Sequence, residues 1–409
     1  MKFAHMSDCH IGSWQKTPRL TDASTRAFVM AMDICAEQKV DFILISGDLF
    51  DTSIPAVDKL KEAVLKLKEI KDKGIAVYVI AGSHDYSPTG KTMLDVLEKA
   101  GLFTNVSQGS EEEGKLRLRF TVDGKTGAKI VGMLGKKGGL EKEQYKMLSR
   151  EELEKEEGFK IFMLHSGIDE YKPKHLENME AIPLSAFPKG FDYYAAGHIH
   201  VVFSRNEPEY GLVAYPGPLF PNNFDELEKL GKGGFYIVES EKGSETKLSF
   251  VPITIYSFFP IKVDCTGKTP RQVETLILEA AKGKEFMNTI VGVRLYGELA
   301  EGKTTDVNLK EVFTALYGKG AVCVLKNTYA LTSQFFQEIK AETGSVEDTE
   351  TSIIMQNLGQ IQLFDREKEL HVTKALIEAL SKEKDEGERQ ADFEARVIGE
   401  AEKALGIKL

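Results

Sequence analysis

The sequence has few cysteines and no long apolar run. Its four cysteines, Cys9, Cys35, Cys265 and Cys323, are spread over 409 residues and form no CxxC pair. A reduced cytoplasm therefore fits the chain better than a disulfide-bonded scaffold. No stretch approaches the ~20 apolar residues that cross a bilayer, and no signal-peptide hydrophobic region follows Met1. We expect a cytoplasmic protein that makes no contact with a membrane.

The sequence also lacks an excess of positive charge. It contains 53 Lys and Arg against 63 Asp and Glu, which gives a formal net charge of -10. Domains that bind nucleic acid usually carry a basic face, so the charge balance does not favour such a partner. It does not exclude one, because bound divalent metals add local positive charge that the count omits. The hydrophobic share of 42% and mean hydropathy of -0.24 indicate a globular chain of two or three domains.

What the sequence does contain is a set of five short polar clusters. Each follows a run of β-branched, aliphatic or aromatic residues that predicts a strand. Residues just past strand ends can converge above one sheet edge, as in many α/β active sites. A single Asp or His in such a place is usually a cap or a satisfied polar residue, so the argument rests on all five clusters together. The members are Asp8 with His10, Asp48, Ser83 with His84, His165, and His198 with His200.

These residue types are those of a divalent metal site. Asp8 and His10 are two residues apart, so in an extended backbone their side chains point the same way. The same holds for His198 and His200. Asp48 ends a buried hydrophobic run, where an unpaired carboxylate is costly unless it meets a cation. Imidazole and carboxylate together suit Mn, Fe or Zn, and oxygen-rich ligation leans toward Mn. Two such metals about 3.5–4 Å apart could clamp the attacking and leaving oxygens of a phosphoester displacement.

The order of predicted elements indicates a layered α/β protein. Strands and helices alternate over residues 1–100, which favours a largely parallel sheet. Shorter strands follow from residue 115, and the runs at 212–215, 234–238 and 248–251 predict a meander in a second sheet. We expect two sheets packed face to face, with helices outside, over residues 1 to about 252.

The composition shifts near residues 252–259. Strands at 261–263 and 289–296 and helices at 270–281 and 307–317 then predict a compact α+β module with a polar linkage to the main body. The acidic stretch 342–348 is poor in large apolar residues and indicates a linker. From residue 364 two charged, amphipathic helices are expected, and their apolar faces need a cover. These faces carry Leu370, Ile377, Leu380, Phe393, Val397, Ala401, Ala404 and Leu405.

The motif order DxH, GDLF, GxHD, an isolated His and GHIH resembles the calcineurin-like metallophosphoesterase superfamily. Within it, residues 44–50, 195–200, 215–217 and 233–239 resemble the Mre11/SbcD family of DNA double-strand-break repair nucleases. The resemblance covers residues 1 to about 240. It implies an α/β (α+β) fold: a four-layer αββα sandwich of two packed sheets, then a small α+β capping domain and a C-terminal helical hairpin. The implied domains are a nuclease domain (1–252), a DNA-binding capping domain (253–335), a linker (336–363) and a hairpin that docks an ATPase (364–409).

The resemblance also assigns roles to the five clusters. It implies two Mn²⁺ ions per chain, with Asp48 as the bridge between them. His84 would lie beside the phosphate and stabilise developing charge or protonate the leaving oxygen; the bland alternative is that it only fixes the turn. The implied ligands are Asp8, His10 and His200 for one metal, and His165 and His198 for the other, with Ser83 as a further candidate ligand.

Three positions depart from the family pattern. Ser83 stands where the family has Asn; it keeps an oxygen but reaches less far, so a water could intervene, or Ser83 could be a plain turn residue. Asp51 stands where the family often has a histidine after GDLF. Pro218 replaces the usual Ser after Tyr-Pro-Gly, and nothing in the sequence interprets that change.

The resemblance implies an Mn-dependent DNA exonuclease and endonuclease that processes double-strand breaks and ends by hydrolysis with a metal-bridging water. Its implied partners are double-stranded DNA ends, single-stranded DNA, a Rad50/SbcC-type SMC-like ABC ATPase and a second copy of the chain, in a nucleoid-associated cytoplasmic setting. Two alternatives stay open. One is a metallophosphodiesterase that acts on another phosphoester, and the other is a non-catalytic DNA-end scaffold with a weakened second metal site.

Overall fold

The chain divides into two units, Met1–Ser333 and Gln334–Leu409. The structure, a computed structural model, describes residues 1–87, 92–136, 140–173, 176, 178–241, 244–333, 354, 366–382 and 390–406. Apart from residue 354, the predicted linker lies outside the described residues. Among these residues no helix is both long enough and apolar enough to span a membrane.

The first unit begins with alternating strands and helices, as the sequence predicts. Its early elements, in chain order, are β1 (Lys2–Met6), α1 (Ala23–Glu37), β2 (Phe42–Ser46), α2 (Val57–Asp72), β3 (Ala76–Ile80), α3 (Met93–Lys99), β4 (Thr104–Asn105), β5 (Gly109–Glu112), β6 (Lys115–Leu118), β7 (Thr121–Val122) and β8 (Lys129–Met133). The elements that follow are α4 (Lys142–Met147), α5 (Arg150–Lys155), β9 (Lys160–His165), β10 (Gly167–Ile168), β11 (Ala181–Ile182), β12 (Tyr193–Gly197), β13 (Phe203–Glu207), β14 (Gly211–Tyr215), α6 (Phe224–Leu230), β15 (Gly233–Glu239) and β16 (Lys247–Ile253).

Two six-stranded sheets form the body of this unit. The first has the order β16-β15-β1-β2-β3-β4 and the second the order β13-β14-β12-β9-β8-β7. Their inner faces share one core, in which Phe3 and Phe42 of the first sheet meet Tyr193 of the second. Helices α1 and α2 cover the outer face of the first sheet, and α4 and α5 pack on the core outside the second. The predicted four-layer α/β class is confirmed.

The predicted meander is wrong in one respect. Strand β14 joins the second sheet, but β15 and β16 belong to the first, where β15 pairs antiparallel with β1. The reason is that β15 is apolar on both faces. Phe235 and Ile237 pack beneath the helices, whereas Tyr236 and Val238 face the core between the sheets. A strand of that kind requires a central position with both faces covered.

A three-stranded parallel sheet follows the body, in the order β17-β18-β19. The strands and helices predicted for this module are present, and β19 is an additional strand that periodicity did not predict. Helices α7 and α8 share a core with these strands. The elements are β17 (Ser257–Asp264), α7 (Pro270–Ala280), β18 (Thr289–Leu299), α8 (Leu309–Gly318) and β19 (Cys323–Ser333).

The predicted polar linkage between this module and the body is present, but apolar contacts accompany it. Ile290 of β18 and Cys323 of β19 are buried in the same core as α1 and the first sheet. Ionic contacts accompany this apolar contact: Arg294 of β18 pairs with Asp225 and Glu228 of α6. The module and the body therefore form one compact unit, and the domain boundary near residue 252 stays a prediction.

The second unit contains the two predicted C-terminal helices, α9 (Arg366–Leu380) and α10 (Gln390–Leu405). They pack against each other, and Lys382 forms an ion pair with Glu400 at 2.8 Å. Ala401 of the predicted apolar face is buried, whereas Leu380 is 65% exposed. The pairing of the helices thus covers part of their apolar surface.

Candidate metal centre

The predicted polar clusters lie at one edge of the sandwich. Strands β1, β2 and β3 run parallel, as do β9 and β12, so the carboxyl ends within each sheet share an edge. The two edges face each other, and loops that leave them meet above the core between the sheets. The first sheet supplies Asp8, His10, Asp48, Ser83 and His84, and the second supplies His165, His198 and His200.

One trio of side chains contains Asp8, His10 and His200, whose ligand atoms all lie within 4.8 Å of one another. His10 Nε2 is 3.2 Å from His200 Nε2, and His200 Nε2 is 3.3 Å from Asp8 Oδ1. Two imidazole nitrogens that face each other beside a carboxylate need a shared cation, either a proton or a metal.

A second trio contains Asp8, Asp48 and His165. His165 Nε2 lies 3.1 Å from Asp48 Oδ2, and the same oxygen lies 3.6 Å from His10 Nε2. Asp48 Oδ2 therefore lies between His165 of this trio and His10 of the first, and Asp48 and His10 form a third such group with His84. His198 belongs to none of these groups; its ring centroid lies 5.1 Å from that of His165, and its backbone N–H donates to Asp8 at 3.1 Å.

His165 is held with one ring nitrogen directed into the site. Its Nδ1 donates a hydrogen bond of 2.8 Å to the carbonyl of Ser46, which fixes the orientation of the ring. Its Nε2 is buried 3.1 Å from Asp48 Oδ2, an ion-pair contact without the geometry of a regular hydrogen bond. A histidine fixed at Nδ1 whose Nε2 faces a carboxylate is oriented as a metal ligand would be. The donor set fits a divalent cation that accepts both imidazole and carboxylate.

The charges of the site are mutually dependent. Burial would raise the pKa of Asp8 and Asp48, but the imidazoles of His200 and His165 outweigh it and hold both pKa values well below the usual range. Burial would likewise lower the pKa of His165, but Asp48 raises it to about 9. For His198 the balance is reversed: burial and the neighbouring His165 outweigh the carboxylates of Asp8 and Asp48 and lower its pKa to about 4.

The backbone at the site is held in a conformation that side-chain-bearing residues rarely adopt. Five of the cluster residues have φ between 42° and 95°, and such positions cost about 1–3 kcal/mol each and concentrate at functional sites. Two glycines make the close approach possible: a Cβ on Gly47 would lie 2.1 Å from His165 Nδ1, and one on Gly82 would lie 2.2 Å from Asp48 Oδ1. The five residues are Asp8, His10, Asp48, His198 and His200.

His84 and Ser83 lie beside Asp48 on the first sheet. The backbone N–H of His84 donates to Asp48 Oδ1 at 2.8 Å, and its ring Nδ1 donates to the carbonyl of Asp51 at 2.7 Å. The His84 side chain is exposed, whereas Ser83 is buried with its Oγ 3.5 Å from Asp48 Oδ2. His84 is thus the cluster residue that faces solvent, where a substrate would arrive.

Asp51 touches two of the cluster histidines. Its Oδ1 lies 3.2 Å from His10 Nδ1, in addition to the contact of its carbonyl with His84. The departure from the family pattern at this position therefore leaves a side chain that still orients the site. At Pro218, the third departure, the structure shows a backbone contact: its carbonyl accepts a hydrogen bond from the Gly234 N–H at 3.1 Å.

Two further acids were missed by the sequence analysis. Glu226 of α6 lies 2.9 Å from His200 Nδ1 through its Oε1. Buried Asp85 accepts hydrogen bonds from the backbone N–H groups of Leu49, Phe50 and Gly82, which ties the loops after β2 and β3 together. The spacing Asn223-x-x-Glu226 is a helix-start signal that predicts α6, but only the fold brings that helix to His200.

One further histidine of the first unit, His5, takes no part in this centre. It is buried between the sheets and pairs with the hydroxyl of Tyr193 at 2.9 Å. His371 is exposed on α9, and His175 lies outside the described residues.

The amino-acid sequence is similar to those of known proteins. The family model described as calcineurin-like phosphoesterase matches residues 1–202. A DNA double-strand break repair protein Mre11 from Methanopyrus kandleri is 29% identical over 262 residues, which cover 62% of this chain and 57% of that protein. The Mre11 proteins of Sulfolobus acidocaldarius and Thermoplasma acidophilum are each 30% identical; the matches cover 73% and 72% of this chain and 75% and 77% of theirs.

The fold and the clustered carboxylates and imidazoles define a metallophosphoesterase domain. Within that class the chain belongs to the Mre11/SbcD family, which confirms the family predicted from the motifs. The chain spans 57% of the Methanopyrus kandleri relative and 52% of the Archaeoglobus fulgidus relative, so several relatives extend well beyond the matched region.

Proposed function

We propose that this protein is a metal-dependent nuclease that hydrolyses phosphodiester bonds at DNA double-strand breaks and ends. One observation carries the proposal: two buried carboxylates, Asp8 and Asp48, lie among histidine nitrogens at 3.1–3.6 Å, beside the exposed His84. The relatives, whose names state a role in double-strand break repair, supply the substrate class.

The first two trios described above, together with His198, would hold two divalent metals, for which we propose Mn²⁺. Asp8, His10 and His200 would hold one, His165 and His198 the other, and Asp48 both; Ser83 is a further candidate ligand at the second. When bound, the metals would polarise the phosphodiester and lower the pKa of a water that attacks it. The buried carboxylates would hold the metals there because, among the described residues, they have no cationic partner other than the histidines.

His84 would act on the substrate rather than on the metals. The carbonyl of Asp51 accepts the Nδ1 proton of His84, which fixes the ring and directs Nε2 away from that carbonyl. In the imidazolium form, which carries a proton on both ring nitrogens, Nε2 can donate a hydrogen bond to a phosphate oxygen or a proton to the leaving oxygen. Asp48 assists by accepting from the His84 backbone N–H, which fixes the turn that carries the ring.

The rest of the chain would serve DNA and protein partners. We propose that the α+β module, residues 253–335, contacts DNA and that the α9–α10 hairpin docks a Rad50/SbcC-type ATPase. Amphipathic helices whose apolar residues include the exposed Leu380 are suited to a groove on a partner. We further propose exonuclease and endonuclease action, a homodimer, and a cytoplasmic, nucleoid-associated setting.

The test is Mn²⁺-dependent degradation of linear double-stranded and single-stranded DNA by the full chain, with bis-p-nitrophenyl phosphate as a small diester. We expect cleavage of DNA that EDTA and the Asp48→Ala variant both abolish. Cleavage of the small diester with DNA left intact would favour a phosphodiesterase of other substrates. Binding of DNA without cleavage of either would favour the non-catalytic scaffold.

A further inference from the structure

We propose that Glu226 is a positioning residue for the metal ligand His200, and that Arg294 of β18 holds Glu226 in place through α6. The packing of the small α+β module against the body would thereby determine the geometry of one metal site. The inference rests on the proposed function, because it concerns how the proposed metal centre is held.

The first link is the contact between Glu226 and His200. Glu226 Oε1 lies 2.9 Å from His200 Nδ1, on the side of the ring opposite the nitrogen that faces Asp8 and His10. A carboxylate on the outer nitrogen fixes the tautomer and orientation of a ligating histidine and raises its basicity. Burial would lower the pKa of His200, but Asp8 and Glu226 outweigh it and raise the pKa well above its usual value.

Glu226 is itself fixed by the start of α6. Its Oε2 accepts from the backbone N–H of Asn222 at 2.8 Å, and its Oε1 accepts from Asn223 Nδ2 at 2.6 Å. The helix has only seven residues and buries one of them, Leu227. A helix this short is not stable by itself, so its position depends on what holds it from outside.

The outside support is Arg294 of the module. Its Nε lies 2.8 Å from Glu228 Oε2, its Nη2 lies 2.7 Å from the same oxygen, and Nη2 also pairs with Asp225. The Glu228 side chain is 9% exposed, so loss of the arginine would leave a nearly buried carboxylate with weak support. Among the described residues, Lys262, whose Nζ lies 3.6 Å from Glu228 Oε1, would then be the remaining ion-pair partner of Glu228.

The helix thus faces two ways. Asp225 and Glu228 are three residues apart and lie on one side of α6, toward the module, whereas Glu226 projects toward the metal centre. Close packing supports the ionic contact, since Phe224 lies edge-on to Phe258 of β17 with centroids 6.4 Å apart. A Cβ on Gly292 of β18 would lie 2.5 Å from Phe258, so the strand and this ring are in close contact.

The test is calorimetric titration of the metal-free full chain with Mn²⁺. Glu226→Ala should weaken one of two sites about 10- to 100-fold, and Glu226→Gln should recover part of the loss because its amide oxygen can still accept from Nδ1. Arg294→Met should weaken the same site about 2- to 30-fold. In the Glu226→Ala background, Arg294→Met should have no further effect, because the link it supports is already cut.

The matched control is Arg271→Met, on α7 of the same module, which should leave Mn²⁺ binding unchanged. If Arg294→Met releases the module, Arg294→Lys keeps the charge, loses the two-pronged contact, and should give an intermediate affinity. Independent, multiplicative effects of Arg294 and Glu226 would overturn the link between them. Two wild-type sites unaffected by Glu226→Ala would overturn the inference alone. No Mn²⁺ binding by the wild type would overturn the proposed function as well.

Discussion

Two completely buried histidines of this protein are held in opposite charge states. His5, on β1 between the sheets, pairs with the hydroxyl of Tyr193, and burial lowers its pKa to about 3. His165, at the end of β9, has a pKa raised to about 9, because Asp48 at 3.1 Å outweighs the same burial. Burial therefore does not decide the charge; the neighbouring carboxylate does.

The comparison separates the interior of the sandwich from its edge. The interior holds neutral polar groups that satisfy one another, whereas the edge holds carboxylates that need cations. Without a metal, protons on His165 and His200 supply that positive charge. A metal would replace those protons, so we expect its binding to release protons and to strengthen as the pH rises.

The largest effect should follow removal of the charge at Asp48. Asp48→Asn keeps the shape of the side chain but should abolish DNA cleavage, because a neutral amide cannot balance two dications. The same change should lower the pKa of His165 from about 9, because it removes the carboxylate that outweighs burial. Activity assays and NMR titration of the histidine ring protons measure the two results. An undiminished nuclease would sink the two-metal mechanism.

His84 should give the next largest effect and should act differently. His84→Ser should lower turnover by about 10²- to 10⁴-fold while Mn²⁺ and DNA binding persist, because the exposed ring would act on the substrate although it also packs against His10. Single-turnover cleavage and calorimetry separate the two quantities. Loss of metal binding in this variant would place His84 among the ligands instead.

Ser83 should make one of the two proposed metal sites at the edge weaker than the other. Its short side chain lies 3.5 Å from Asp48 Oδ2, where the family has an amide of longer reach. We expect two unequal Mn²⁺ sites, of which the weaker should bind about tenfold tighter in Ser83→Asn. Equal sites in the wild type, or a titration that Ser83→Asn leaves unchanged, would argue against a missing ligand.

The smallest effect concerns the interior histidine. Because the folded-state pKa of His5 is about 3, below the ordinary 6.5, the unfolded chain binds a proton first as the pH falls. The stability contributed by neutral His5 is present above about pH 6.5 and is lost as the pH drops toward 3. His5→Gln should therefore lose less stability than the wild type between pH 7.5 and 5, by about 2 kcal/mol.

Urea unfolding followed by fluorescence of Trp14, the single tryptophan, measures this difference at both pH values. His371→Gln, an exposed histidine of the other unit, is the control and should follow the wild type. Identical pH dependence of His5→Gln and wild type would mean that His5 is not held neutral.

The sequence predicts the ends of the central strands well and their neighbours less well. Asp8, Asp48 and His165 follow mainly apolar runs, so both the strands and the edge where they end could be foreseen. The partner of β1 could not, because the run that forms β15 reads the same in either sheet. Strand β19 was missed because polar residues such as Lys326 and Asn327 interrupt it.

The supporting contacts of the site were beyond pattern reasoning for a physical reason. Glu226 reaches His200 from a helix that is distant from β1 along the chain, and Asp51 contacts His84 through a backbone carbonyl that carries no sequence signal. The linkage of the small module was misjudged because scattered apolar residues of its three strands, among them Phe258, Ile290 and Cys323, make the contact. Scattered residues give no periodicity to detect.

The place of β1 in its sheet has a consequence for the birth of the protein on the ribosome. One neighbour, β2, follows within about forty residues, but the other, β15, pairs Lys2 with Glu239. During synthesis β1 must wait for some two hundred residues with one edge unpaired, and pairings of that separation form slowly. Asp8, at the end of that strand, therefore belongs to a strand that is paired on both edges only once β15 has been made. The candidate metal centre also includes His165, His198 and His200, so it can be complete only when most of the first unit exists.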